Sequence, residues 1–349
     1  MRRPVVAFMP AHPSQVWVLA PVAREAAGFA DILWIVRDKD KSSRIASLLG
    51  FSPVAIPGSA GGLSGTGLEF LLNTFRCLRL TLSLGIDLWV TKYGCGNIAG
   101  RLLGRRSLSF NDDDADQVPV IAATSYPFAD MILAPVRTRM GRHERKTTHY
   151  NSFHELFYLH PNRFTPDPSV FAELGLERGE PFVIVRRCLL RAHHDTGISG
   201  IDDELMDRIV STVGDRARIF VSSEDRLDEG VAPARLPLRE DRIHHALAFA
   251  SVVISGGQTV AAEAAELGSP AIHVNSFAHR LSYLSELEEL GLLVSCKPDQ
   301  RDLVIQRLDE FLSEPQGEQG RKTRRDMLLN RKIDPVPGFV EAVRGLLPS

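Results

Sequence analysis

The stretch richest in potential chemistry is SVVISGGQTVAAEAAELGSPAIHVNS, Ser251 to Ser276. An apolar run breaks at Gly256-Gly257, and an Ala-rich helical pattern opens at Gln258-Thr259. Two glycines let backbone approach a ligand closely, and a helix start offers unpaired N–H donors with a partial positive charge. That combination suits a diphosphate. Gln258 and Thr259 add side-chain donors. Glu263 follows about one turn later, where a carboxylate can accept hydrogen bonds from ribose hydroxyls. The same pattern also describes a glycine turn ahead of an ordinary core helix with Glu263 on its solvated face, and spacing alone leaves both readings open.

Other groups carry chemistry in smaller clusters. Arg187-Cys188-Leu189-Leu190-Arg191-Ala192-His193-His194-Asp195 follows an apolar run; the arginines suit phosphate oxygens and His193 a donor or acid. Its plain alternative is a solvated loop with a structural His–Asp pair. Ser222-Ser223-Glu224 ends another apolar run and could cap a helix or hold polar groups of a ligand. His244-His245 opens a helix, where surface histidines are common. His12, in Pro10-Ala11-His12-Pro13, follows the first apolar run and has a suitable pKa for a general base. Asp113 belongs to Asn111-Asp112-Asp113-Asp114-Ala115-Asp116, a run expected to be a self-repelling solvated loop but able to supply a rival base. No metal-ligand spacing is visible, since adjacent histidines on regular elements point opposite ways.

The elements that must position these residues alternate from end to end. Strands are expected at 5–9, 32–36, 54–56, 88–91, 108–110 and 131–133, with helices at 15–27, 42–50, 68–84 and 97–103 between them. The segment HPNRFTPDP interrupts this with three prolines between Pro161 and Pro168, which stop helices and remove strand donors. The alternation restarts with strands at 182–185, 219–222, 252–254, 271–274 and 292–294, helices at 203–213, 243–249, 259–267 and 281–290, and three terminal helices after 301. Such order implies right-handed βαβ units and parallel sheets covered by helices. The expected organisation is a Rossmann-like unit at 1–158, a Pro-rich linker at 159–168 and a second Rossmann-like unit at 169–349. Ligands of such pairs sit in the cleft beyond the carboxyl ends of the strands.

Composition bounds the function. The chain has 349 residues, enough for two domains at roughly 100–200 each. Its 41 Lys+Arg against 43 Asp+Glu give no footing for a nucleic-acid role. Cys77, Cys95, Cys188 and Cys296 are scattered, which fits a reducing compartment rather than a disulfide scaffold. The opening MRRPVVAFMPAHP holds too short an apolar run for a secretory signal, so a cytoplasmic location is expected. Glu69–Gly85 is an apolar helix carrying Arg76 and Arg79. Burial between sheet and neighbours is the expected reading, although an interfacial patch for peripheral membrane contact would suit a lipid-linked acceptor.

The Ser251–Ser276 segment resembles the donor-binding segment of GT-B glycosyltransferases and of the related UDP-N-acetylglucosamine 2-epimerase. It is similar as well to the N-acetylglucosaminyltransferase of lipid-linked peptidoglycan synthesis, which shares a Gly turn, a helix, a Glu and Gly-x-Pro, here Gly268-Ser269-Pro270. Nearly the whole chain resembles a prokaryotic family of predicted glycosyltransferases of unknown function. That likeness runs through HYNSFHELFYLHPNRFTPDPSVFAELGL (His149–Leu176), HHDTGISG (His193–Gly200), SSE (Ser222–Glu224) and the segment above.

The resemblance implies a GT-B fold, α/β with two Rossmann-like parallel-sheet domains. It implies a nucleotide-sugar donor, a glycan or lipid-linked acceptor, and no cofactor beyond the nucleotide-sugar substrate. Arg187, Arg191, His193, Ser223, Glu224, His244, Gly256, Gly257, Gln258, Thr259 and Glu263 would bind donor, with Glu263 on the ribose and His244 near the nucleobase. His12 or Asp113 would be the base. The expected activity is sugar transfer in cell-surface glycan or polysaccharide synthesis. The family pattern has a second His three residues beyond His12, where Gln15 stands. A nucleotide-sugar 2-epimerase or hydrolase is the alternative, using Asp112–Asp114 on the sugar, although the His-Gly-Asp and His-x-Glu-x-Gly-x-Arg patterns of that epimerase are absent. A non-catalytic binder on the same fold is the third reading.

Overall fold

The computed structural model describes residues 2–38, 41–58, 63–187, 200–223, 233–276, 278–313 and 317–348, with the main chain alone at 38, 63–66 and 223. The chain divides into two compact units, Met1–His160 with Ile333–Ser349, and Pro161–Lys332.

Unit 1 is built from β1 (Val5–Met9), α1 (Pro13–Ala26), β2 (Asp31–Asp38), α2 (Ser42–Leu48), β3 (Pro53–Pro57), α3 (Leu63–Leu84), β4 (Leu88–Thr91), α4 (Gly94–Leu102), β5 (Arg106–Phe110), α5 (Pro119–Thr124), β6 (Met131–Pro135), β7 (Thr147–Tyr150) and α6 (Leu156–Leu159). Its seven strands run parallel in the order β3-β2-β1-β4-β5-β6-β7. The central strands are apolar on both faces because helices cover both, so β4 reads Leu-Trp-Val-Thr and is buried throughout. The order reverses between β1 and β4, which opens a crevice beyond their carboxyl ends.

Unit 2 repeats the plan with α7 (Val170–Glu173), β8 (Phe182–Arg187), α8 (Asp203–Val213), β9 (Arg218–Ser223), β10 (Ala234–Arg235), α9 (Ile243–Phe249), β11 (Val252–Ser255), α10 (Gln258–Glu266), β12 (Ala271–Val274), α11 (Ser282–Glu289), β13 (Leu293–Cys296), α12 (Arg301–Ser313) and α13 (Gly317–Leu329). Its parallel order is β10-β9-β8-β11-β12-β13, reversing between β8 and β11. One face of the sheet packs Val185, Ile254, Ile272 and Val274 against Leu205 and Ile209 of α8 and Val304 and Leu308 of α12.

Three features depart from the sequence reading. The last helix, α14 (Val336–Leu346), was expected in the second unit but belongs to the first. There Phe339 packs edge-on against Phe110 and Phe157 and is 2% exposed. The Pro-rich segment is no bare linker beyond Pro161. Phe164 packs over the His245 ring and edge-on to His244, and the Asp167 amide donates to His245 Nδ1, tying the segment to unit 2. Finally, α3 is covered on one face only: Cys77 and Asn73 are buried, whereas Leu68, Leu71, Leu72, Phe75 and Leu82 are exposed. Among the described residues no helix is long and apolar enough to cross a membrane.

Candidate functional site

In unit 2 the residues expected to bind a diphosphate gather at the strand-order reversal. β11 ends at Ser255, whose Oγ donates to the Gly257 carbonyl and accepts from the Gly257 amide, closing a tight turn. The Gly256 amide donates to the Arg186 carbonyl at the end of β8, and the Gly256 carbonyl accepts from Asn275 Nδ2 at 2.8 Å. Gly257 is the N-cap of α10 and no side chain caps that helix. The first-turn amides at Gln258 and Thr259 therefore keep the donor capacity and partial positive charge of a helix start. The opposite end of α10 is set by Gly268, with φ +91°, where a Cβ would stand 2.1 Å from the Arg321 carbonyl oxygen. Only glycine allows α13 to pass this close, which accounts for the Gly of the Gly-x-Pro run.

Glu263 and His244 are brought together. Both are buried, and Glu263 Oε1 lies 3.0 Å from His244 Nε2. Glu263 is thus on neither a solvated face nor an isolated perch: a carboxylate this deep needs a partner, and α9 provides one. His245 points the other way, accepting from Asp167. At the end of β8, Arg186 Nη1 donates to Ser222 Oγ at 2.9 Å, and Arg187 pairs with the exposed Asp203 at 2.7 Å. Arg191, His193 and Glu224 lie outside the described residues, as does the side chain of Ser223.

Unit 1 carries a second cluster, beyond the carboxyl ends of β4, β5 and β7. Lys92 directly follows β4, and its Nζ stands 2.7 Å from Asp113 Oδ2 and 3.5 Å from Asp112 Oδ1. His154 Nδ1 approaches Asp112 Oδ1 at 3.2 Å from the opposite side. The His154 ring is enclosed by Phe110, Tyr150 and Phe157. Burial on its own would raise the Asp112 pKa, but the His154 and Lys92 charges and the hydrogen bond from His154 outweigh it and hold that carboxyl well below the usual range. Burial would likewise lower the Lys92 pKa, and the two aspartates reverse this and raise it. Desolvation pushes the Tyr126 and Tyr150 hydroxyls up. Asp112 and Lys92 therefore stay ionised across the physiological range.

The acidic run is not the self-repelling loop that its composition suggests. Asp112 and Asp113 share Lys92, while Asp114, fully buried, accepts from the Arg139 amide at 2.8 Å and pairs with the Arg139 guanidinium at 2.8 Å. Lys92 and His154 went unnoticed in the sequence. The available signal for Lys92 was a lysine placed immediately after a mostly apolar strand; for His154 there was none, since 42 positions separate it from Asp112.

His12 is exposed and serves as the N-cap of α1, its Nδ1 accepting from the Ser14 amide. Gln15, where the resembling family has a second His, turns back to accept from the Ala11 amide at 2.9 Å. Among the described residues no group of three or more His, Cys, Asp or Glu side chains is arranged to hold a metal ion.

Two parallel Rossmann-like units in sequence, each with the order reversal after its third strand, define the GT-B fold, and comparison with solved structures bears this out. A protein of Listeria monocytogenes assigned as a UDP-N-acetylglucosamine 2-epimerase superposes with a TM-score of 0.72 at 10% identity, over 99% of this chain and 96% of that one. The Methanocaldococcus jannaschii UDP-GlcNAc 2-epimerase, solved with UDP-GlcNAc and UDP, gives 0.64 at 13% identity over 93% and 99%. MurG of Acinetobacter baumannii gives 0.59 at 15% identity over 98% and 99%. No protein-family model matches the chain, and no curated protein matches it by sequence. At these identities the likeness is one of fold, and it extends to epimerases and glycosyltransferases alike.

Proposed function

We propose that the protein is an enzyme of nucleotide-sugars, binding a nucleoside diphosphate sugar through unit 2 and acting on the sugar itself, by epimerisation or hydrolysis, through the acid–base groups of unit 1. The observation that carries this reading is the Lys92–Asp113 and Asp112–His154 cluster. In it two carboxylates, Asp112 and Asp113, face the single ammonium of Lys92. A fixed negative charge stabilises the cationic character that a sugar acquires as its bond to the diphosphate breaks, a step common to both reactions. Asp112, held far below the carboxylate range, is too weak a base to take a proton, so its part is electrostatic. Asp113, the more exposed of the two, is the group left to exchange one.

In unit 2 the turn Ser255–Gly257 and the first amides of α10 hold the diphosphate and stabilise it as it departs, with Gln258 and Thr259 adding donors. Glu263 takes the ribose hydroxyls, and His244 fixes the rotamer of that carboxylate. Arg187, Arg191, His193, Ser223 and Glu224 complete the donor set in this reading. It is supported by the solved epimerase that carries UDP-GlcNAc and UDP on the same fold.

Transfer to an acceptor hydroxyl is the second reading, favoured by one observation: an exposed His12 just beyond β1. Against it, His12 Nδ1 is already engaged by Ser14, whose amide faces it and whose Oγ lies 2.9 Å away. Incubating the chain with a panel of nucleoside diphosphate sugars, followed by proton NMR, separates the readings. An epimer, or free sugar with nucleoside diphosphate, is expected without any acceptor and is lost in Asp113→Asn. Turnover only on addition of a glycan, abolished by His12→Ala and untouched by Asp113→Asn, would replace the first reading with the second.

A further inference from the structure

Half of the twelve exposed large apolar side chains among the described residues lie on one helix, α3. Leu68, Leu71, Leu72, Phe75 and Leu82 are 58, 52, 44, 57 and 71% exposed. Their spacing of three, four and seven residues places them on one stripe, about a third of the helix circumference at 100° per residue. The opposite side is fully engaged: Asn73 and Cys77 are buried, and Thr81 Oγ1 accepts from Trp89 Nε1. The stripe is therefore a second apolar face, turned away from the unit that the first one builds.

Its charges are all of one sign. Arg79 is exposed within the stripe and Arg76 borders it, half-buried. Glu69, the sole acid of α3, is buried and clamped by Arg37 Nε and Nη2, at 2.5 and 2.7 Å. The adjoining α4 contributes no acid, and it ends in exposed Arg101 and Leu102, the latter 65% exposed. A two-fold contact between copies through this face would bring two basic faces together, with no carboxylate on the outer side of α3 to answer Arg79 and Arg76. Anionic phospholipid headgroups answer them directly, while the leucines and Phe75 enter the acyl boundary.

We infer that the outer face of α3 docks unit 1 peripherally onto an anionic lipid surface. This does not depend on which reaction the enzyme carries out. Co-sedimentation of the full chain with vesicles of phosphatidylcholine, with and without phosphatidylglycerol, tests it. Binding is expected to the phosphatidylglycerol vesicles and to fall at least about tenfold in the double variant Leu72→Gln/Phe75→Gln, whose replaced side chains are solvent-exposed. Arg79→Glu should weaken binding and flatten its dependence on salt. Both variants should melt at the wild-type temperature, so lost binding is not lost folding. Failure of the wild type to sediment with phosphatidylglycerol vesicles would overturn the inference, as would sedimentation undiminished in the double variant. A concentration-dependent dimer by analytical ultracentrifugation that Leu72→Gln/Phe75→Gln dissolves would assign the face to a second copy instead.

Discussion

His273 sits on β12 between Ser255 of β11 and Ser295 of β13, fully buried, and neither of its ring nitrogens meets a hydrogen-bond partner among the described residues. Desolvation, with a smaller contribution from His279, pushes its pKa down from 6.5 to about 4. The folded state therefore holds this ring neutral where the unfolded chain protonates it. The sign follows: stability is intact above pH 6.5, falls as pH drops below it, and the loss is complete below pH 4. A pKa lowered from 6.5 to about 4 corresponds to roughly 3 kcal/mol in full, of which about 2 kcal/mol is lost between pH 7.5 and pH 5. His273→Leu removes the titrating group at similar volume. At pH 7.5 the variant should match or exceed the wild type, because relieving two orphaned nitrogens offsets a packing change of about 1 kcal/mol. Urea unfolding of both chains at pH 7.5 and pH 5 reads the difference directly, since every other titrating group is common to both. An equal loss of stability on acidification in the two chains would refute the reasoning.

The remaining predictions concern the two units separately. Glu263→Gln keeps the volume but weakens acceptance from ribose. A nucleoside diphosphate at about 100 times its dissociation constant should stabilise the wild type by roughly 2.7 kcal/mol and the variant far less, by thermal unfolding. Lys92→Met leaves Asp112 and Asp113 without their shared cation and should cost about 2–4 kcal/mol at pH 7. That deficit should shrink as pH falls through the carboxylate range, because uncompensated carboxylates take up protons; chemical denaturation at pH 7 and pH 4.5 checks it. Phe339→Ala should destabilise unit 1 by about 3–4 kcal/mol through the cavity left between Phe110 and Phe157, yet leave nucleotide binding by unit 2 unchanged in calorimetry.

How much of this was legible in the sequence follows the range of the interactions involved. Runs such as Val5–Met9, Leu88–Thr91 and Val252–Ser255 are mostly apolar because helices cover both faces of a parallel sheet, a local signature that marks these strands to within a residue. β7 escaped because Thr-Thr-His-Tyr, at the sheet edge, has no need to be apolar. The Gly256-Gly257 turn and the start of α10 were legible for the same local reason. The pairing of Glu263 with His244 was not, since it depends on α9 and α10 packing side by side. α14 likewise has an apolar face whose destination, Phe110 rather than unit 2, no local pattern records.

The unit 1 cluster makes the same point in its strongest form, and it bears on function. Lys92, Asp112, Asp113 and His154 meet because β4, β5, β6 and β7 are consecutive neighbours whose carboxyl ends open on one side. Each residue, taken alone, has an ordinary explanation: a lysine after a strand, an acidic loop, a histidine among aromatics. Composition argued against the acidic run because four carboxylates in five residues repel. The fold removes that objection by giving Asp112 and Asp113 an ammonium and Asp114 a guanidinium, so the repulsion that should have dispersed the run is what its two cations offset. A loop of this kind is stable only while Lys92 is charged and in place. On the proposed function, the same lysine maintains the fold locally and sets the charge that the cluster presents to a sugar. Substitutions there will change stability and turnover together, whereas substitutions at Glu263 will change nucleotide affinity first.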